Sequence, residues 1–112
     1  MEKGKKFDGG KVRMELIPPE LLTGVASVLT FGAEKYEDRN WEFGMKWSRV
    51  FGALLRHLYA WWNPFVSDLD EETGMSHLWH AGSCIAFLIA YEQRCVGEND
   101  RPEGGIDGST EN

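Results

Sequence analysis

The sequence predicts an all-α domain built on about three main helices. Apolar residues recur at three- and four-residue spacing in three separate stretches. Pro18-Pro19 and Ser76 read as helix starts, and Asn63-Pro64 and Gly97 as stops. The length, 112 residues, suits one domain.

Taken in order, residues 1–17 read as irregular. FDGGKVR carries a Gly-Gly turn signal and MELI reads as a short extended piece. The first helix is expected from Pro19 to Ala33 or Glu37. Proline is at home in a first turn, and Glu20 there complements the helix dipole. Leu21, Leu22, Val25, Val28 and Leu29 form its apolar face. A loop from Asp38 to Gly44 follows and holds Trp41 and Phe43, rings that must pack on something. The second helix is expected from Lys46 to Trp62, with Val50, Leu54, Leu58 and Trp61 at helical spacing. Residues 65–74, FVSDLDEETG, make an acidic connector. The third helix is expected from Met75 or Ser76 to Val96, with Ser76 as N-cap. It is apolar nearly all round, which places it centrally or at a seam between subunits.

Charge is uneven along the chain. The net charge is −6, and Glu98, Asp100, Glu103, Asp107 and Glu111 against Arg101 alone put −4 of it in the tail, leaving −2 on residues 1–96. A helical domain over 1–96 and a disordered acidic tail over 97–112 are therefore expected. The acidic balance argues against broad nucleic-acid binding, which needs a basic face. No apolar run reaches the ~18 residues of a membrane span. The polar start MEKGKKFDGGK lacks a signal-peptide pattern, so Cys84 and Cys95 read as reduced thiols of a cytoplasmic protein.

Three constellations carry chemistry. The strongest is His77-Leu78-Trp79-His80, two imidazoles at i and i+3 on one helix face. His57 lies on the preceding helix and would meet them if the two helices form an antiparallel hairpin. Asp70 and Glu72 come from the connector just before. Three histidines and a carboxylate suit Mn, Zn or Fe. The second constellation is Glu34 and Glu37, again at i and i+3, which would hold Mg if the pair faced one way, and would otherwise be a solvated helix end. The third is basic: Lys11 and Arg13 near the N-terminus, and Arg49 and Arg56 seven residues apart on the second helix. Arginine grips phosphate bidentately and lysine as a point charge. No Walker loop and no GxGxxG is present.

KFDGGKVRMELIPPELL, FGAEKYEDRNWEFGMKWSRVFGALLRHLYAWW and DEETGMSHLWHAG together resemble the dATP/dGTP diphosphohydrolase N-terminal domain found in many phage proteins. The resemblance runs from about Lys6 to Tyr91 and rests on the combination of FGAxKY, NW, RHL and DxExGxxHLxHA. It implies an all-α fold related to MazG-like pyrophosphohydrolases, which cleave a nucleoside triphosphate to monophosphate and pyrophosphate. It also implies Mg or Mn as cofactor, a dimer or higher homo-oligomer and, for a phage protein, the host cytoplasm.

On this reading His57, Asp70, His77 and His80 are metal ligands, and Glu34, Glu37 or Glu72 is the base. Lys11, Arg13, Lys35, Tyr36, Asn40, Trp41, Arg49 and Arg56 bind the nucleotide, with Trp41 or Tyr36 stacking on the base. The chain departs from the MazG pattern where His77 and His80 replace two carboxylates, which makes Mg a less natural metal. The alternative function is a protein that binds or sequesters a nucleotide without turnover.

Overall fold

The computed structural model describes residues 9–103, and within them three α-helices carry the architecture. These are α1 (Pro19–Lys35), α2 (Trp47–Trp62) and α3 (His77–Arg94). Short 3-10 turns lie at Met14–Leu16 and Asn40–Phe43, and no strand is present among the described residues. The extended piece expected at MELI is thus a helical turn, closed by Ile17 N–H donating to the Met14 carbonyl.

The two prolines start α1 as their fixed φ predicts, with Pro19 as its first residue. Ser76 caps α3, its hydroxyl accepting from the Leu78 N–H at 3.1 Å. Helix α3 packs on both α1 and α2, the central position its apolar sequence implies. Helices α2 and α3 run antiparallel: His57 meets His77 near one end, and Trp47 donates to the Val96 carbonyl at the other.

The core is small. Val50 and Leu54 of α2 and Ala81, Cys84 and Tyr91 of α3 are its buried apolar members. The loop rings find their place here. Trp41 stacks on Phe87 with ring centroids 4.6 Å apart, and the Tyr91 hydroxyl donates to the Trp41 carbonyl at 2.6 Å. Burial pushes the Tyr91 hydroxyl and the Cys84 thiol up from their ordinary pKa values. Cys95 is different: it lies just past α3 in the left-handed region (φ 56°) and is exposed.

The acidic tail expected from Gly97 onward begins as a docked segment. Trp47 N–H donates to the Glu98 carbonyl, Glu98 N–H to the Met45 carbonyl, and the Asp100 carboxylate accepts from Ser48 N–H and hydroxyl at the start of α2. The physical reason is that the first turn of α2 has free N–H groups and no capping side chain of its own. Asp100 supplies the missing acceptor, and its hydrogen bonds from Ser48 hold its carboxyl below the ordinary range. Residues 104–112 of the expected tail lie outside the described residues. No helix among the described residues is long and apolar enough to cross a membrane.

Candidate metal centre

The connector between α2 and α3 folds back as a tight turn. Asp70 N–H donates to the Met75 carbonyl at 2.7 Å, and Gly74 N–H to the Asp70 carbonyl at 2.8 Å. Gly74 sits at φ 71°, where a side chain would be strained. His77 N–H, one of the free donors of α3's first turn, is taken by the Asp68 carbonyl at 2.9 Å. The turn is thereby pinned to the start of α3, and Asp70 is carried to the histidines, where the positive end of the helix favours a carboxylate.

The three histidines do come together. His57 Nδ1 and His77 Nδ1 are 2.9 Å apart. The His57 and His80 rings stack, centroids 4.6 Å apart and 10° from parallel. His57, His77 and Asp70 each offer a ligand atom within 4.8 Å of the others. His77 is buried, while His57 and Asp70 are partly so. His80 stands beside this group rather than in it: its Nε2 lies 2.7 Å from the Thr73 hydroxyl and 3.9 Å from Asp70 Oδ2.

The donor set fits a divalent cation. Two imidazole nitrogens meet at 2.9 Å either because one donates to the other or because both lone pairs converge on a cation. Two nitrogens on one ion at about 2.1 Å, at right angles, would lie roughly 3.0 Å apart. Asp70 Oδ2 is already used, accepting from Glu72 N–H at 3.1 Å, Thr73 N–H at 3.0 Å and the Thr73 hydroxyl at 3.2 Å. Its Oδ1 has no protein donor among the described residues and remains available as a ligand.

Protonation states agree with that use. Burial lowers the pKa of His57, and the neighbouring His80 lowers it further against the opposing pull of Asp70. Burial likewise lowers His80, again against Asp70. Burial alone would raise the Asp70 carboxyl, but the Thr73 N–H and hydroxyl and the nearby imidazoles outweigh it and hold the group below its ordinary value. At neutral pH the His57 and His80 imidazoles are therefore neutral beside an ionised Asp70 carboxylate, the forms in which imidazole and carboxylate bind metal.

The other expected site residues scatter. Glu72 lies at the rim, where its carboxylate pairs with Lys35 at 2.6 Å and also acts on His80. The Lys35 ammonium is 5.4 Å from the centroid of the exposed Tyr36 ring. Glu34 and Glu37 do not form a helical pair, because α1 ends at Lys35 and Glu37 lies beyond its cap. Neither joins the histidine group. Trp41 is half-buried, packing on Phe87 and Tyr91 with the Arg94 guanidinium 5.6 Å from its ring centroid. Asn40 sits in the exposed 3-10 turn, Lys11 in the exposed N-terminal segment, and Arg13 pairs with Glu15 at 2.9 Å. Arg49 and Arg56 are exposed on α2 with no ion pair among the described residues. Thr73 was not foreseen, although Asp-x-x-Thr in a turn is a readable local hydrogen-bonding pattern.

The fold and the site define a small helical domain with a histidine–carboxylate centre at one end of a helical hairpin. The family model described as dATP/dGTP diphosphohydrolase, N-terminal, matches residues 1–101, and the chain belongs to that family. It is similar to the dATP/dGTP diphosphohydrolase of Salmonella phage PMBT28, 40% identical over 86 residues. That match covers 77% of this chain and 29% of the phage protein's length. No solved structure matches.

Proposed function

We propose that this chain holds a divalent metal at His57, His77 and Asp70 and hydrolyses a purine deoxynucleoside triphosphate to the monophosphate and pyrophosphate. The observation that carries the reading is the convergence of two Nδ1 atoms and one carboxylate from three separate places in the chain. Family membership, and the dATP and dGTP in the phage relative's name, supply the substrate class. Because the chain spans less than a third of that relative, the activity itself is part of the proposal.

The mixed nitrogen and oxygen donors suit Mn, Zn or Fe better than Mg, which prefers an all-oxygen shell. When bound, such an ion polarises phosphate oxygen and lowers the pKa of water. The chain's own residues prepare for it. His57 and His77 keep lone pairs available, and Asp70 keeps its charge. Lys35 exchanges Glu72 for a substrate phosphate, and the released Glu72 carboxylate accepts a proton beside His80. Tyr36 offers the exposed ring on that side. We further propose a homo-oligomer assembled through α2 and α3.

A second reading, nucleotide binding without turnover, draws support from Glu34 and Glu37, which lie apart from the histidine group. Incubation of the metal-loaded chain with dATP or dGTP separates the two. Hydrolysis predicts pyrophosphate release that stops on chelation and falls by more than about 100-fold in His77→Ala, since even residues behind a metal ligand are worth 10–100-fold. Intact nucleotide recovered from a stable complex supports the binder. Neither release nor binding contradicts both.

A further inference from the structure

The Thr73 hydroxyl has three neighbours and one proton. Met75 N–H donates to it at 3.2 Å, Asp70 Oδ2 lies at 3.2 Å and His80 Nε2 at 2.7 Å, while Thr73's own N–H also binds Asp70 Oδ2. An ionised carboxylate only accepts, and a hydroxyl donates once and accepts twice. If Thr73 donated to His80, its oxygen would face the Asp70 oxygen with no proton between them. If it donates to Asp70, His80 Nε2 must carry a proton and donate to the hydroxyl, and every group is satisfied. The second arrangement leaves His80 Nδ1 with a bare lone pair that meets no protein donor among the described residues.

We propose that Thr73 is a positioning residue that joins Asp70 to His80, fixes His80 as its Nε2–H tautomer, and keeps Asp70 turned so that Oδ1 is left for the centre. The chain of bonds runs from His80 Nε2–H to the Thr73 oxygen, and from the Thr73 hydroxyl to Asp70 Oδ2. Because Nε2 carries the proton, Nδ1 is left as the lone-pair face of His80. The same hydroxyl anchors the turn through Met75, so ligand orientation and tautomer depend on one atom. The tautomer follows from the hydrogen bonds alone; its value to the centre rests on the metal reading above.

The test uses the full chain, ¹⁵N-labelled and freed of metal by chelator, near pH 7.5. Long-range ¹H–¹⁵N correlation spectra report which imidazole nitrogen of His80 carries the proton, and Zn²⁺ and Mn²⁺ titrations report affinity. Wild type and Thr73→Ser should both show the Nε2–H form. Thr73→Val, close in shape but without the hydroxyl, should lose that single tautomer and bind metal 10–100-fold more weakly. An Nδ1–H tautomer in wild type overturns the proposal without any variant. So does a Thr73→Val protein with unchanged tautomer. A changed tautomer with wild-type metal affinity overturns the link to the centre. Wild type that binds neither ion refutes the metal reading, while the tautomer measurement still decides the role of Thr73.

Discussion

His57 and His80 lie face to face, half-buried; burial lowers the readiness of each to take a proton, and His80 lowers that of His57 further. The consequence for stability has a definite sign. Both are depressed in the folded chain, so below the ordinary imidazole value of about 6.5 the unfolded chain binds more protons. The metal-free melting temperature should therefore fall as pH drops from 7 to 5, and be steady above 7. Asp70 contributes only lower down, because its depressed carboxyl keeps its stabilising charge until the pH falls below the ordinary aspartate range. Thermal melts from pH 5 to 8 check this, and a flat profile would contradict it. His77→Ala should cost about 1–3 kcal/mol in the metal-free protein, since it strands a partly buried His57 nitrogen. Urea unfolding of variant and wild type measures it. At this scale the spacing of His77 and His80 was readable because helix periodicity fixes which residues share a face, and His57 followed once a hairpin was inferred. His80's place outside the three-ligand group was not readable. It is drawn off by Thr73, through a turn whose shape depends on backbone bonds between Asp70, Gly74 and Met75. Where Trp41 packs was not readable for a similar reason: its partners Phe87 and Tyr91 are far along the chain.

Helix α1 is held to α3 by a close approach at Gly24. A Cβ there would come within 2.6 Å of the near part of the Trp79 ring, not a flexible tip. Gly24→Ala gains about 1 kcal/mol of helix propensity but meets overpacking of about 1–3 kcal/mol. A net loss is expected, visible as a lower urea midpoint, and a stabilised variant would show that Trp79 yields easily. At the other end of the hairpin, the Val96–Asp100 segment caps α2. Truncation after Gly97 should lower the melting temperature, whereas truncation after Glu103 should leave it unchanged on the polar, glycine-containing composition of what is removed. Equal melting of the two truncations would contradict a capping role. Helix existence and boundaries were legible to within about two residues because prolines, Ser76 and periodicity act locally. The docking of Gly97–Asp100 was not, because composition alone does not reveal that a helix start about 50 residues earlier lacks a cap.

Few apolar side chains are buried among the described residues for their aromatic content. Val50, Leu54, Ala81, Cys84 and Tyr91 make up the buried core, while Phe51 is 52% exposed, Ile89 55% and Trp62 76%. Phe51, Ile85, Leu88 and Ile89 line one groove between α2 and α3, with Arg101 and Glu92 at its edge. A face of that kind, carrying both signs of charge, suits a self-complementary contact, which is the basis for proposing a homo-oligomer. Light scattering at micromolar concentration should give more than one chain per particle, and Phe51→Glu should reduce it; a wild-type monomer would remove the proposal. Fold class was legible from periodicity, whereas how much surface the three helices leave uncovered required their packing.

The central claim is that His57, His77 and Asp70 form one metal site, and equilibrium dialysis of chelator-treated protein against Mn²⁺ or Zn²⁺ tests it most directly. The account predicts one ion per chain in wild type and loss of that ion in a folded His57→Ala, His77→Ala double variant. Wild-type protein that binds no ion, or a double variant that binds it as well as wild type, would contradict it.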